Sequence, residues 1–176
     1  MDSLKEAIAK IDRTTEERLR EAFRLLNEKF QEAFSALFEG GKATLILDGG
    51  DILNSGIEII AQPPGKKLQN LSLLSGGEKA LTAIALLFAS FLVKSSPLYF
   101  LDEVDGPLDD TNIDRFTSIL KDLSERAQFI VITHNKKTME SADILYGITM
   151  EEPGVSKVVS VRLNGDEEPH QLALKN

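Results

Sequence analysis

At 176 residues with 42% apolar side chains, the chain can bury one full hydrophobic core, alone or with a helical appendage. Its 28 acidic against 20 basic residues leave a net charge of −8, which gives no support to a broad nucleic-acid-binding face. The lack of cysteine excludes a disulfide framework and a thiolate zinc site, and fits the cytosol. The N-terminus is charged from Asp2 onward, without the pattern of a signal peptide. The longest apolar run, about 80–93, is broken by Thr82 and Ser90 and reads as a buried helix rather than a membrane span.

Residues 1–38 are highly charged, with apolar side chains at helical spacing. Leu19, Phe23, Leu26, Phe30, Ala33 and Leu37 recur in alternating steps of four and three on one stripe, and Leu4, Ile8, Ile11 and Thr15 form a shorter stripe before it. The heptad phase slips near Thr15–Leu19, where one step of four follows another. This pattern predicts the end of a coiled-coil arm and a docking helix over 1–40, with a globular lobe over 41–176. The plainer alternative is one amphipathic surface helix ending at Gly40-Gly41.

Ala43–Asp48 and Gly56–Gln62 read as paired strands separated by glycine-rich turns. Pro63-Pro64-Gly65-Lys66-Lys67 then forces an irregular connection, with the lysines either solvated or close to phosphate. Ser75, Gly76 and Gly77 precede a helix predicted over about 78–93. Serine is a good cap there, and the two glycines let backbone N–H groups approach an anion at the positive end of the helix dipole.

Leu98–Leu101 are continuously apolar, which predicts a central parallel strand covered on both faces. The strand delivers Asp102 and Glu103 at its C-terminal end, where open α/β sheets bind ligands. Alternation along an extended backbone would point the two carboxylates in opposite directions, so they should have different tasks: Asp102 to hold Mg²⁺, Glu103 to orient or deprotonate water. Asp105–Asn112 reads as a turn followed by a helix capped by Asp110 or Thr111, with Ile113, Phe116, Ile119, Leu120 and Leu123 on its buried face. Gln128–Thr133 is the next internal strand and places His134 at its end, beside the two acids if the strands are neighbours. Strands at 144–150 and 155–163, joined by Pro153-Gly154, form an antiparallel pair, and fraying is expected after Asn164. His170 lies in that tail and carries no functional argument.

These runs point to nucleotide chemistry, yet none of the glycine pairs at 40–41, 49–50 and 76–77 is followed by the lysine of a G-x-x-x-x-G-K-[ST] loop. The cradle for the β- and γ-phosphates must then come from another chain or another segment.

Leu71–Leu81 resembles the signature motif of ABC-type ATPases in the form carried by SMC proteins, the chromosome-maintenance or condensin class. Leu98–Asp105 resembles the Walker B segment of that family, Gly106–Asp109 its D-loop, and Thr133-His134-Asn135 its switch-histidine loop. Residues 1–42 are similar to the coiled-coil strand that returns to the head. The resemblance implies an α/β head lobe with a mostly parallel core sheet flanked by helices. It also implies that the Walker A and Q-loop elements lie in a sequence-distant N-terminal half of the same protein. Within it, Ser75, Gly76 and Gly77 would meet the γ-phosphate of ATP held mainly by a second head, and Asp102 would serve Mg²⁺. Glu103 would be the catalytic carboxylate, Asp109 would reach across the dimer, and His134 would sense the γ-phosphate. Gly106-Pro107 departs from the small-residue pair usual in that D-loop.

The activity so implied is ATP hydrolysis by a head completed with its N-terminal half, the isolated chain being inactive. The implied partners are that half, a second head in an ATP-dependent dimer, a kleisin-type subunit and, through the whole complex, DNA, with no membrane partner and a cytoplasmic, nucleoid-associated location. The rival readings are a head lobe of a related double-strand-break repair ATPase, a transporter ATP-binding subunit, and a catalytically silent dimerisation module.

Overall fold

The computed structural model describes residues 2–49 and 52–163. It opens with one long helix, α1 (Asp2–Leu37), followed by an antiparallel hairpin of β1 (Lys42–Asp48) and β2 (Gly56–Gln62) and a short third strand β3 (Gln69–Asn70). A 3-10 turn at Leu71–Leu73 leads into α2 (Gly76–Val93) and then β4 (Leu98–Asp102). The chain continues through α3 (Asp110–Ser124), β5 (Gln128–Ile132), a single helical turn α4 (Lys136–Glu140), and a hairpin of β6 (Ile144–Glu152) and β7 (Val155–Arg162). The α/β class expected from the sequence holds in a mixed form: among the described residues the one parallel ladder is β4–β5, and the other two sheets are antiparallel.

The two stripes of α1 meet different fates. Leu4, Ile8 and Ile11 on its first turns are exposed, whereas Phe30, Ala33, Phe34 and Leu37 near its end are buried. Phe34 is absent from the three-and-four stripe read above, because a docking helix buries a wider face than a coiled-coil seam. Its ring stacks on Phe38 with centroids 4.1 Å apart. The outer edge of β1 is covered by α1: the Asn27 carboxamide oxygen accepts from the Leu45 N–H at 2.8 Å, so an otherwise unpaired strand group is satisfied.

Among the described residues α2 alone is long and apolar enough to cross a membrane, which the shorter run read from the sequence did not suggest. In the fold it is a core helix: Leu81, Ile84, Ala85, Phe88 and Ala89 are buried, and Phe88 stacks on Phe116 of α3 with centroids 5.7 Å apart. On α3, Ile113, Phe116 and Leu120 are buried with Ile119 and Leu123 packed beside them, as their spacing predicts.

The β4–β5 ladder corrects one expectation. Among the described residues only one of its faces is covered, by Leu101 together with the Phe91, Tyr99 and Phe129 rings, whereas Phe100 is 68% exposed and Leu98, Ile130 and Ile132 lie open beside it. The apolar run is continuous because both faces are built to be buried, and the described residues cover one. The fraying expected after Asn164, together with Leu172 and Leu174, lies outside the described residues.

Candidate functional site

Asp102 is the last residue of β4, and the parallel register sets it opposite Ile132 at the end of β5. One further backbone bond, from the Glu103 N–H to the Ile132 carbonyl at 2.9 Å, carries the pairing past the strand. The loops that leave both strands therefore start side by side. His134 Nε2 reaches Glu103 Oε1 at 2.9 Å, and because an ionised carboxylate only accepts, the shared hydrogen sits on Nε2. Both side chains are solvent-exposed, so this pair adds little to stability and remains accessible to a ligand.

Glu103 does not continue the strand. Its φ of 50° places it in the left-handed region, so the alternation argument that set the two carboxylates on opposite faces does not apply to it. The backbone turns at this residue, and the turn, not the strand, aims the side chain towards His134. A non-glycine residue in this region costs about 1–2 kcal/mol, a strain that clusters at functional sites.

A second cluster surrounds the start of α2. Glu78 Oε2 accepts from the Ser75 N–H at 3.0 Å, from the Ser75 hydroxyl at 2.7 Å and from Lys66 Nζ at 2.9 Å. The carboxylate of the helix's third residue thus reaches back to its cap, as in a capping box. The Lys66 ammonium, and after it the Ser75 hydroxyl, hold the Glu78 carboxyl below the usual carboxylate range. Lys66, left open in the sequence between solvent and phosphate, is thereby committed to Glu78. A Cβ built on Gly76 or Gly77 would meet nothing within 4 Å among the described residues, so the glycine side of the first turn of α2 is open.

Asp109, and not Asp110 or Thr111, caps α3. Its extended backbone puts Oδ1 within 2.8 Å of the Asn112 N–H. The residue expected to reach across a dimer therefore also has a local task. Glu78 and Asp109 line one open cleft of about 420 Å³ together with Pro64, Leu81, Asn112 and Arg115. Among the described residues, no hydrogen bond joins Ser75, Glu78 and Lys66 to Glu103 and His134. Of the site residues read from the sequence, Asp102, Glu103 and His134 stand at the ends of β4 and β5, Ser75, Gly76 and Gly77 at the start of α2, and Asp109 at the start of α3.

Asp105 and Thr138 received no individual role from the sequence. Asp105 is 2% exposed, and its Oδ2 accepts from the hydroxyls of Thr133 at 2.6 Å and Thr138 at 2.5 Å. An acid in a predicted turn reads as solvated, and only the contact between two loops distant in sequence reveals the burial. The turn α4 that presents Thr138 was not foreseen either; it is capped by Asn135 and tied to α3 through Lys137 and Asp114 at 2.7 Å.

The family model described as RecF/RecN/SMC N terminal domain matches residues 5–157. The chain belongs to this SMC family. It is 56% identical over 167 residues to the chromosome partition protein Smc of Myxococcus xanthus and 54% identical over 168 residues to that of Bacillus subtilis, covering 93% and 95% of the present chain. It spans 14% of the length of those curated relatives. Among solved structures, the Smc head domain with an extended coiled coil bound to the C-terminal domain of ScpA, from Pyrococcus furiosus, superposes with a TM-score of 0.80 at 41% identity. That match covers 92% of this chain and 41% of the other. A structure from work on ATP-driven dimerization and DNA-stimulated activation of SMC ATPases gives a TM-score of 0.77 at 40% identity, covering 84% of this chain and 90% of the other. The long first helix and the mixed sheets are therefore the architecture of an SMC head.

Proposed function

We propose that this chain is the C-terminal lobe of a split SMC ATPase head, with 1–40 the end of a coiled-coil arm. Completed by an N-terminal Walker A half, the lobe binds and hydrolyses ATP at an interface between two heads. The observation that carries this reading is the convergence of Glu103 and His134, 2.9 Å apart at the ends of two parallel strands, beside Asp102. The placement of Ser75, Gly76 and Gly77 on a different element, the start of α2, fits the two-headed form. Glu103 and His134 act on the nucleotide of their own head, while the open glycine side of the first turn of α2 offers backbone N–H groups to the γ-phosphate of the other.

Within this reading Glu103 orients the attacking water and accepts its proton, and His134, donating through Nε2, fixes the carboxylate and senses the γ-phosphate. Among the described residues no three acidic or histidine side chains gather as a metal cage. A single strand-end carboxylate fits Mg²⁺, which typically takes one or two protein carboxylates plus substrate phosphates and water. Asp102 would hold that ion, whose chemistry is to neutralise charge on the phosphates. At the whole-protein level the reading assigns a kleisin-type subunit, which the P. furiosus relative bound to ScpA supports. It also assigns ATP-driven opening and closing that moves or entraps DNA in chromosome segregation, in the cytoplasm on the nucleoid.

The test is ATP turnover and solution mass for this chain alone and paired with a Walker-A-bearing N-terminal half, in wild type and Glu103→Gln. Turnover only in the paired wild type, with an ATP-trapped dimer of the paired Glu103→Gln variant, is expected. No turnover in any pairing would replace the ATPase with a silent dimerisation module.

A further inference from the structure

Asp105 is a buried carboxylate that the catalytic reading leaves without a task. Its position is set from the Glu103 side: the Glu103 carbonyl accepts from the Gly106 N–H at 3.2 Å, and the Asp105 carbonyl from the Leu108 N–H at 3.1 Å, so both belong to one closed turn. Its side chain leaves that turn and enters the loop that carries His134. There Oδ2 takes the hydroxyl hydrogens of Thr133 and Thr138, one immediately before His134 and one four residues after it. Thr133 Oγ1 in turn accepts from the Asn135 N–H at 2.9 Å, so the backbone on both sides of His134 is tied into the same chain of bonds. Asn135 Oδ1 completes the chain by accepting from the Lys137 N–H at 2.9 Å.

Because Glu103 and His134 are themselves exposed, their mutual contact supplies little to hold the two loops in register. The buried bonds can, since a charged acceptor and two hydroxyl donors shielded from water form the stronger kind of hydrogen bond. Nothing else among the described side-chain bonds joins the Glu103 turn to the His134 loop.

Resting on the ATPase reading above, we infer that Asp105 is a positioning residue: with Thr133 and Thr138 it holds His134 at hydrogen-bonding distance from Glu103 and so sets the geometry of the hydrolytic step. At 2% exposure its carboxylate faces the threonines and not the open site, so it acts through His134.

The test uses the paired head with Asp105→Asn, Thr133→Val and Thr133→Ser, each in wild-type and His134→Ala backgrounds. Thr133→Val keeps the side-chain shape and removes one donor, so it reports even if Asp105→Asn fails to fold. Expected is a fall in kcat of about tenfold or more for the Asn and Val variants, as for a catalytic group displaced by an ångström or less. The KM for ATP should stay within about twofold of wild type, Ser should restore the rate, and no further loss should appear in the His134→Ala background. Additive losses in that background, or a rise in KM that matches the fall in kcat, would overturn the assignment. Selectively labelled His134 ring resonances provide a readout that does not need turnover. Loss of the Nε2 hydrogen-bond signature in Thr133→Val supports the assignment, and its retention overturns it. If the wild-type pair does not hydrolyse ATP, the ATPase reading fails on that observation, while the ring signal still decides the positioning claim.

Discussion

Glu103 combines strain and chemistry at a single residue. Its left-handed backbone would suit glycine, yet the position carries a carboxylate in contact with His134. Replacement by Gly and by Ala removes the carboxylate equally, but only Ala keeps the steric cost of positive φ. Glu103→Gly should therefore be more stable than Glu103→Ala by about 1 kcal/mol in denaturant titration, with both paired heads inactive. Equal stabilities would mean that the backbone relaxes without its side chain. Glu78 gives a pH-dependent case. Its folded-state carboxyl is held below the usual range by Lys66 and Ser75, so it stabilises the fold fully above the unfolded value, about 4.3. That contribution is lost as pH falls through the lowered one. Lys66→Met should thus be less stable than wild type at neutral pH, with the gap closing as the medium is acidified below that range. A gap that persists in acid would show that Lys66 acts through packing instead.

At the scale of elements, the junction between α1 and β1 is tightly held. Arg115 of α3 ties it down, pairing with Glu39 at 2.8 Å and donating to the Leu37 carbonyl at the end of α1. Gly41 follows with φ of 79°, and a Cβ there would lie 2.5 Å from the Gln62 carbonyl oxygen. Gly154 in the β6–β7 turn has a similar φ of 83° but open space around it. Gly154→Ala should accordingly cost about 1 kcal/mol from backbone strain alone, and Gly41→Ala clearly more, because a backbone atom must also move. Matching losses in urea unfolding would show that the hairpin yields easily to α1. The same junction shows how far local pattern reaches: Gly40-Gly41 marks the end of the helix in the sequence, whereas the part played by Arg115, far along the chain, does not show there.

For the molecule as a whole, the open face of the β4–β5 ladder matters most. Phe100, Leu98, Ile130 and Ile132 present a contiguous apolar surface, the kind that marks an interface. The proposed N-terminal half would cover it. The chain alone should self-associate in sedimentation experiments, and Phe100→Lys should reduce that association while leaving thermal stability nearly unchanged, since the side chain is already exposed. The same variant should weaken pairing with the N-terminal half. Unaltered pairing would move the contact to another surface, such as the exposed β6–β7 hairpin.

The sequence by itself determined the elements and the chemical vocabulary. The periodicity of α1 and α3, the apolar β4 and β5, Asp102-Glu103 after one strand and His134 after the next were all legible. Helix and strand periods and strand-end acids are local patterns, and the combined motifs are specific to one family. Tertiary structure decided what those residues face. Asp109 became the cap of α3 because its own backbone is extended, and Lys66 found Glu78 across an irregular loop. Asp105 went inward because two threonines from a distant loop replace its water, and Glu103 turned out of the strand by adopting a positive φ. Each of these depends on contacts between segments far apart in the chain or on a single backbone angle, neither of which leaves a periodic trace in the order of residues.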